Sequence, residues 1–190
     1  MQFTELLLHK SILKSLSEAR FQRPTLVQQK TIPLVLAKKN VIVAAQTGTG
    51  KTAAFALPII NLLFDKQDAE KGAKTIKALV VTPTRELAIQ IEENFTLFSK
   101  YTNLRTTAVF GGVSLEPQKE KLAKGIDILI ATPGRLLDLQ LQGHLDLSHL
   151  EIFVLDEADL MLDMGFINDV KKIEKLCPRK KQTLLFSATI

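Results

Sequence analysis

The stretch VIVAAQTGTGKT, residues 41 to 52, joins an apolar run to a glycine-containing loop and a basic end. Its first five residues are apolar, which is typical of a buried strand. Gly48 and Gly50 follow, and glycine permits the backbone conformations that a tight loop needs. Near Lys51 a segment with helical periodicity begins, which continues over residues 52 to 64. The stretch therefore predicts a strand, a loop and a helix in direct succession.

This arrangement has the chemistry of a phosphate-binding loop. Glycines let backbone N–H groups converge on phosphate oxygens, Lys51 can supply positive charge to the β and γ phosphates, and the Thr52 hydroxyl can ligate Mg²⁺. Ala45 stands where the general pattern has its first glycine, and a merely flexible Gly-Thr turn is the alternative interpretation. We expect a nucleoside triphosphate site formed by Ala45, Gln46, Thr47, Gly48, Thr49, Gly50, Lys51 and Thr52.

Apolar runs and helical segments alternate along the chain. The runs are nearly continuous, which is typical of strands buried on both faces, and they occupy residues 41–45, 78–82, 106–110, 126–131, 152–156 and 183–188. Helical periodicity is found at residues 5–19, 25–37, 52–64, 86–100, 115–123, 135–142 and 167–176. The alternation predicts an α/β fold with a mainly parallel sheet and helices on both faces. The two leading helices predict an N-terminal cap, residues 1–37, on a domain that spans residues 38–190.

FVLDEAD, residues 153 to 159, predicts the second half of the phosphate site. Asp156 follows directly on an apolar run, where it can hold Mg²⁺ through water, and Glu157 can orient and deprotonate an attacking water. Acidic residues also favour the first turn of a solvated helix, so an ordinary helix start is the alternative. Together with the phosphate loop, the pair favours a hydrolytic site in which Lys51, Asp156 and Glu157 are the catalytic residues.

Composition and charge bound the class of protein. The 190 residues are 46% hydrophobic, and the formal net charge of +5 is compatible with a polyanionic partner. Cys177 is the only cysteine, so an internal disulfide is excluded, and the three histidines have no partner thiols for a zinc site. The first residues do not resemble a signal peptide, and no apolar run reaches membrane-spanning length. We expect a cytoplasmic protein without membrane contact.

Seven short motifs, in this order, resemble those of the DEAD-box RNA helicases. They are RFQRPTLVQ (20 to 28), AQTGTGKT (45 to 52), PTREL (83 to 87), FGG (110 to 112), TPGR (132 to 135), DEAD (156 to 159) and SAT (187 to 189). The resemblance covers nearly the whole chain and implies a RecA-like domain that binds ATP and Mg²⁺. Arg20 departs from the family, which usually has glycine before the aromatic residue.

The resemblance also implies how the nucleotide is recognised. Gln28 would read the edge of adenine with its amide and Phe21 would stack on the ring, with Arg23 in the same motif. Phe3 would support this pocket, although packing of a terminal residue against the cap is the alternative. The residues that would couple nucleotide state to RNA binding, unless the last two simply end a strand, are Asp159, Ser187 and Thr189.

Loops that follow successive parallel strands should emerge along one edge of the sheet and form one surface. Arg85 and Arg135 can contact phosphates there, hydroxyls can donate hydrogen bonds, and glycines allow close approach of the backbone. The predicted RNA contacts are Pro83, Thr84, Arg85, Gly111, Gly112, Thr132, Pro133, Gly134 and Arg135. Such contacts carry no base identity, so we expect single-stranded or duplex RNA to bind with little sequence preference, its 2′-hydroxyls distinguishing it from DNA.

The sequence ends at Ile190, directly after the last motif. The resemblance implies a second RecA-like domain whose arginines complete the ATP site, and an arginine finger accelerates hydrolysis by about 10³ to 10⁵. We therefore expect the chain to be the N-terminal core domain of a monomeric helicase and to hydrolyse ATP poorly by itself. Two other functions stay open, namely a DNA-directed ATPase of related architecture and a non-catalytic platform whose nucleotide pocket serves a partner interaction.

Overall fold

In the computed structural model, which describes residues 1–66 and 75–190, the chain forms a six-stranded sheet. The strands are β1 (Val41–Ala44), β2 (Ala78–Val81), β3 (Thr106–Val109), β4 (Ile128–Ala131), β5 (Ile152–Leu155) and β6 (Gln182–Ser187). Their order across the sheet is β1-β6-β5-β2-β4-β3, and all neighbouring pairs are parallel. In register, Ala78 of β2 lies between Ile128 of β4 and Ile152 of β5. The predicted α/β fold with a parallel sheet is confirmed.

Eight α-helices flank the strands within these described ranges. They are α1 (Lys10–Glu18), α2 (Leu26–Leu36), α3 (Lys51–Lys66), α4 (Arg85–Phe98), α5 (Glu116–Ala123), α6 (Pro133–Leu141), α7 (Ala158–Asp163) and α8 (Ile167–Leu176). The chain first travels from β1 through β2 to β3, with α3 and α4 on one face of the sheet. It then returns through β4 and β5 to β6, with α5, α6 and α8 on the other face. A right-handed crossover puts its helix on the face of the sheet that is set by the direction in which the chain moves across the strands. Because that direction reverses after β3, helices cover both faces.

The side chains of the central strands alternate between two apolar cores. In β2, Ala78 and Val80 join the core under α3 and α4, whereas Leu79 and Val81 join the core under α5, α6 and α8. All four are completely buried. This is the reason for the continuous apolar runs, since a parallel strand with helices on both sides has no solvent face.

The first strand differs from this pattern. The prediction that residues 41–45 are buried on both faces is wrong, because Ile42 is 65% exposed and Ala44 is also exposed. Val41 and Val43 pack against the core under α3. β1 lies at the edge of the sheet beside β6, while the helices of the second face pack on the strands farther along. One face of β1 is therefore open despite its apolar sequence.

The N-terminal segment also differs from its predicted form. The single helix predicted over residues 5–19 is wrong: a 3-10 turn covers Phe3–Leu6, and α1 begins at Lys10. Leu7 lies between them with a left-handed backbone, at φ 61°, which a right-handed helix does not contain. Its side chain is 85% exposed, whereas the turn buries Phe3 and Leu6 in the core. The break in the helix thus allows the turn to pack inward.

The first two helices share the core of the sheet. Ile12 and Leu16 of α1 and Ile32 of α2 are at most 1% exposed and belong to the core under α3 and α4. Ser15 of α1 donates its hydroxyl to the carbonyl of Phe98, at the end of α4, over 3.0 Å. Over the residues that the structure describes, no helix is both long and apolar enough to cross a membrane.

Candidate functional site

The candidate site residues gather at the carboxyl edge of the sheet, where all six strands end. Ligands of open α/β sheets bind at this edge. The loops that follow β1, β5 and β6 meet in one half of it, which we call the phosphate-loop half. The loops that follow β2, β3 and β4 meet in the other, which we call the arginine half.

The phosphate loop connects β1 to α3. Gly48 and Gly50 have left-handed backbones, with φ of 87° and 82°, which explains glycine at both positions. The space around Gly48 is open, but a Cβ on Gly50 would lie 2.5 Å from Nε2 of Gln28. The Thr49 hydroxyl donates to the carbonyl of Gln46 over 2.6 Å, which closes the loop on itself. Because α3 begins directly after the loop, its first N–H groups have no partners within the helix and can bind an anion.

The two ends of this loop are anchored differently. Ala45 is buried, and its N–H donates to the carbonyl of Ser187 over 3.0 Å, so pairing with β6 continues one residue past β1. Thr47 is exposed, and Thr52 is half-buried in the first turn of α3. Both line a cavity of about 300 Å³ beside the loop. The part of the loop where phosphates would bind is therefore open to solvent.

Lys51 forms ion pairs with two carboxylates at the end of β5. Its ammonium lies 3.3 Å from Oδ1 of Asp156 and donates a hydrogen bond to Oε1 of Glu157. The side chains of Lys51, Asp156 and Glu157 are only 8%, 1% and 11% exposed. Glu157 has a left-handed backbone at φ 57°, which costs about 1–2 kcal/mol outside glycine. It precedes α7, a helix that the sequence analysis did not predict. Groups far apart in the chain thus meet in one buried ionic cluster.

Asp156 has the properties of a metal ligand. Burial raises its pKa to about 6, while the neighbouring Lys51 acts in the opposite direction. The Thr82 hydroxyl lies 3.5 Å from Oδ2, but Oδ1 has no hydrogen-bond partner despite its closeness to Lys51. Mg²⁺ typically takes one or two carboxylates together with phosphate oxygens and water. The unsatisfied oxygen, with Thr52 nearby on the same cavity, fits this cation. In the described ranges, no group of three or more His, Cys, Asp or Glu side chains could hold a metal by itself.

Gln28 connects the phosphate loop to α2. It is 2% exposed, its Nε2 donates to the carbonyl of Gly50 over 3.1 Å, and its Oε1 accepts the N–H of Thr25 over 3.0 Å. The Thr25 hydroxyl accepts the N–H of Gln28 in return, over 3.3 Å, which is a capping box at the start of α2. An amide has two donors and two acceptor lone pairs. One N–H and one lone pair of Gln28 therefore remain for a ligand.

Phe21 lies on the wall of the same cavity. It is 38% exposed and packs edge-to-face on Phe98, with ring centroids 5.6 Å apart. Arg23, by contrast, lines a neighbouring cavity together with Phe3, which is 4% exposed and part of the core. Phe21 and Gln28 thus lie at the cavity of the phosphate loop, and Phe21 also lines the neighbouring cavity that contains Arg23 and Phe3. The α4 residues on the cavity wall were not predicted from the sequence, and they are Leu87, Gln90, Ile91, Asn94 and Phe98.

Two of the residues assigned to coupling, Ser187 and Thr189, contact the third, Asp159. Thr189 donates its hydroxyl to Oδ2 of Asp159 over 3.2 Å. Desolvation acts to raise the pKa of Asp159, but hydrogen bonds from Leu160, Thr189 and Ser187 together hold that pKa below its usual value. These contacts join the first turn of α7 to the end of β6, the strand that pairs with β1.

The arginine half begins where β2 passes into α4. Pro83 is buried, and Thr84 caps α4 by accepting the N–H of Leu87 over 3.2 Å. Arg85 is exposed, and its guanidinium carbon lies 5.4 Å from the ring centroid of Phe110, a cation–π contact. The loop after β2 is thus in contact with the loop after β3.

The loops after β3 and β4 complete this half. Gly111 and Gly112 are exposed, and Gly112 has a left-handed backbone at φ 81°. Thr132 is the N-cap residue of α6 and Pro133 its first residue, as is typical of a helix start, while Gly134 is exposed. Because β4 lies between β2 and β3 in the sheet, the predicted RNA-contact segments lie side by side.

Arg135 is held by two uncharged groups. Its Nη1 donates to Oε1 of Gln118 over 2.9 Å, and its Nη2 donates to the carbonyl of Val113 over 2.9 Å. A guanidinium has five N–H donors, so three remain for a ligand. Its positive charge is not neutralised by these contacts.

Two buried polar residues of the site were not identified from the sequence. Thr82 ends an apolar run, and nothing in the linear pattern indicates that its hydroxyl faces Asp156. Gln118 lies in a polar helix that has the composition of a solvated surface. Its position four residues before the apolar Leu122 is a signal that could have identified it, because residues at this spacing share a helix face. Both side chains are buried in the structure.

Comparison with known proteins identifies relatives over the whole chain. Residues 25–190 match the family model described as DEAD/DEAH box helicase. The DEAD-box ATP-dependent RNA helicase RhpA of Helicobacter pylori is 49% identical over 188 residues, which cover 99% of this chain and 37% of RhpA. The ATP-dependent RNA helicase CshA of Listeria monocytogenes is 46% identical over 189 residues, which cover 100% of this chain and 35% of CshA.

A solved structure has the same architecture. The crystal structure of a DEAD box protein from the hyperthermophile Methanococcus jannaschii matches with a TM-score of 0.91 at 43% identity, over 100% of this chain and 50% of that one. The chain therefore spans about a third of the length of these curated relatives and half of the solved relative.

Proposed function

Because this chain belongs to the DEAD/DEAH box helicase family, we propose that it is the ATP-binding core domain of an ATP-dependent RNA helicase. The whole protein would couple ATP hydrolysis to local opening of RNA duplexes or to remodelling of ribonucleoproteins. The observation that carries the proposal is the contact of Lys51 with Asp156 and Glu157 beside the phosphate loop. A phosphate-binding cation, a metal ligand and a proton acceptor are the groups that hydrolysis of a triphosphate requires.

The ion pairs of Lys51 suggest how the site responds to ATP. The ammonium shares its charge between two carboxylates, and a triphosphate offers oxygens of higher negative charge to the same group. Binding would move Lys51 from the carboxylates to the β and γ phosphates. Glu157 would then lose its cationic partner, and its carboxylate could accept a proton from the attacking water. The ion pairs would thus keep the proton acceptor engaged until phosphate arrives.

Thr52 and Asp156 are the residues that would hold Mg²⁺. Oδ1 of Asp156 supports this assignment, because its cationic neighbour, the Lys51 ammonium at 3.3 Å, would move to the triphosphate and leave this buried oxygen for the metal. When bound, Mg²⁺ neutralises phosphate charge and stabilises the charge that develops during hydrolysis. The remaining roles belong to side chains of the chain itself.

Adenine would bind in the cavity between the phosphate loop and Phe21. The free N–H and the free lone pair of Gln28 match the acceptor and the donor that adenine presents side by side, whereas guanine presents two acceptors at that edge. The exposed part of the Phe21 ring offers a surface for stacking. Gln28 also contacts the carbonyl of Gly50, so base recognition would reach the phosphate loop directly.

RNA would bind across the arginine half. Arg85 and Arg135 have contacts with uncharged groups, so their charge is available to phosphates. The glycines and hydroxyls beside them can contact the backbone but do not distinguish bases, so single-stranded or duplex RNA would bind with little sequence preference. Contacts to 2′-hydroxyls would favour RNA over DNA.

The complete activity is proposed for a longer protein. The curated relatives are about three times as long as this chain, and a second RecA-like domain in them would contribute arginines across the ATP site. This chain by itself would hydrolyse ATP very slowly. The full protein would act as a monomer, and we place it in the cytoplasm.

Stimulation of ATP hydrolysis tests the proposal. In the full-length protein that contains this chain, poly-uridine RNA should raise the rate of ATP hydrolysis, and the matching single-stranded DNA should raise it far less. Equal stimulation by DNA would overturn the RNA assignment in favour of a DNA-directed ATPase. ATP binding without any hydrolysis, with or without RNA, would favour a binding platform.

A further inference from the structure

Gln118 is a buried amide on an exposed helix. Within α5, the residues around it, such as Glu116, Pro117 and Glu120, are exposed, whereas Gln118 is only 7% exposed. Burial of a primary amide is unfavourable unless both of its ends form hydrogen bonds. The partners of this side chain therefore indicate what it does.

Each end of the amide contacts a different predicted RNA segment. Nε2 donates to the carbonyl of Phe110 over 3.0 Å, and Oε1 accepts from Nη1 of Arg135 over 2.9 Å. A carbonyl only accepts and a guanidinium only donates, so a side chain with both functions is needed between them. Gln118 supplies the donor to one and the acceptor to the other.

Arg135 completes a closed arrangement around the glycine loop, residues 110–113. Its Nη2 donates to the carbonyl of Val113, so the loop is held at its start through Gln118 and at its end through Arg135. Arg85 lies over the ring of Phe110, the first residue of this loop. Gln118 of α5 thus connects the segments that follow β3 and β4, and Arg85 joins the segment that follows β2 to them through Phe110.

The uncharged character of Gln118 matters for the ligand. A glutamate at this position would also accept a hydrogen bond from Arg135, but it would neutralise the guanidinium and would repel the Phe110 carbonyl. With glutamine, Arg135 keeps its charge and three unused N–H donors. The guanidinium is therefore oriented without being neutralised, as a phosphate-binding arginine requires.

We propose that Gln118 is a positioning residue for RNA, which sets the orientation of Arg135 and of the glycine loop so that both meet the same stretch of RNA backbone. The inference rests on the proposed function, because it assumes that the arginine half binds RNA. Gln118 does not touch the RNA itself. Removing the Gln118 amide would weaken phosphate binding through Arg135. In a purely structural role, Gln118 would hold the segments together without affecting phosphate binding.

Gln118→Met tests the proposal in the full-length protein, since methionine is of similar size and forms neither hydrogen bond. Affinity for a fluorescent single-stranded RNA should fall about tenfold, the effect of losing a hydrogen bond to a charged group. The negative slope of log affinity against log salt concentration should become shallower by about 0.7, because one phosphate contact is lost. Arg135→Met should show the same change in salt slope, and the salt slope of the double variant should equal that of Arg135→Met, because only Arg135 carries the charge. ATP affinity should be unchanged.

Gln182→Met is the matched control. Gln182 is a second buried glutamine, 8% exposed, and its Nε2 donates to the carbonyls of Val35 and Lys39 at the opposite edge of the sheet. Its loss should lower stability without changing RNA affinity or the salt slope. The proposal is overturned if Gln118→Met binds RNA as the parent does, if its effect equals that of Gln182→Met, or if its effect on the salt slope adds to that of Arg135→Met.

A second measurement separates this proposal from the proposed function. If the parent protein binds no RNA, the RNA assignment fails, and the positioning of the loop is then judged by hydrogen exchange. Gln118→Met should accelerate exchange of the amides of Gly111, Gly112 and Val113, and Gln182→Met should leave them as in the parent. Unchanged exchange in Gln118→Met would overturn the role of Gln118 as well.

Discussion

The phosphate-loop half and the arginine half of the carboxyl edge hold their cationic side chains in opposite ways. Lys51 is 8% exposed and pairs with two carboxylates, Asp156 and Glu157. Arg85 is exposed and lies over a ring, while Arg135 is half-buried and contacts an amide and a carbonyl. One half neutralises its cation internally, and the other leaves the positive charge available.

The difference follows from burial. An ammonium taken out of water without a counter-ion is strongly unfavourable, so a buried lysine needs carboxylates near it. Arginines with access to solvent do not need a counter-ion, and uncharged partners are enough to orient them. A ligand must therefore replace existing partners in the phosphate-loop half, whereas it can add to existing contacts in the arginine half.

Replacing Glu157 should have the largest effect, because it removes the assigned proton acceptor. In the full-length protein, Glu157→Gln should lower the RNA-stimulated rate of ATP hydrolysis by about 10² to 10⁴. ATP affinity should not fall, since the amide no longer competes for Lys51. The rate is measured by release of inorganic phosphate, and ATP affinity by titration of a fluorescent analogue.

Glu174→Gln provides the control for this change. Glu174 lies on α8, is 53% exposed and pairs with Lys181. Its variant should hydrolyse ATP at the parent rate. A Glu157→Gln protein with undiminished hydrolysis would contradict the catalytic assignment and favour the platform function.

Asp156 should give the apoprotein a characteristic dependence on pH. Burial raises its folded-state pKa from 3.8 to about 6, with Lys51 opposing the change and Glu157 adding to it. Because the folded pKa is above the unfolded value, the fold favours the protonated form, and this contribution is fully present below pH 4 and is lost as pH rises through 6. The loss amounts to at most about 3 kcal/mol in the free energy of unfolding.

Urea unfolding of the parent and of Asp156→Asn, without Mg²⁺ or nucleotide, measures this contribution. Between about pH 4 and 7 the asparagine variant should gain stability relative to the parent, because it has no carboxyl group to ionise. If the free energies of unfolding of the two proteins changed in parallel with pH over that range, the internal ion pairs of the phosphate-loop half would already compensate the buried charge of Asp156.

The smallest effect is expected from the glycine loop of the arginine half. Gly112→Ala places a side chain on a left-handed backbone at φ 81°, which costs about 1 kcal/mol, so RNA affinity should fall several-fold. Gly143→Ala is the matched control, since Gly143 has a left-handed backbone at φ 80° but follows the end of α6 and is not a predicted RNA contact. For both variants, RNA affinity is measured by titration and the free energy of unfolding by urea. Equal RNA affinity of the two variants would indicate that the backbone conformation of the glycine loop does not affect RNA binding.

The architecture could be predicted because it depends on local patterns. Continuous apolar runs separated by helical segments are sufficient for a parallel sheet between two layers of helices, and β2 follows that pattern fully. The phosphate loop could be recognised because glycine, lysine and threonine each have a local role there. Asp156 and Glu157 could be placed by their position at the end of a strand.

Other features depend on which helices and strands pack together, and local sequence patterns do not state that packing. Ile42 belongs to an apolar run like those of the central strands, but it is exposed because the helices of the second face pack on strands farther from the edge that β1 forms. Thr82 and Gln118 belong to the site because of side chains that lie far from them in the sequence. Their roles could be seen only after the strand order was known.

The phosphate loop and the carboxylates that follow β5 could be read from the chain alone, because each depends on residue types within one short segment, and the α/β class followed from the alternation of such segments. Only the tertiary structure decided that Lys51 pairs with both carboxylates, that Gln118 joins the glycine loop to Arg135, and that one face of β1 stays open. The physical reason is that burial and hydrogen bonding are properties of neighbours in space. Those neighbours are set by the order of the strands and not by distance along the chain.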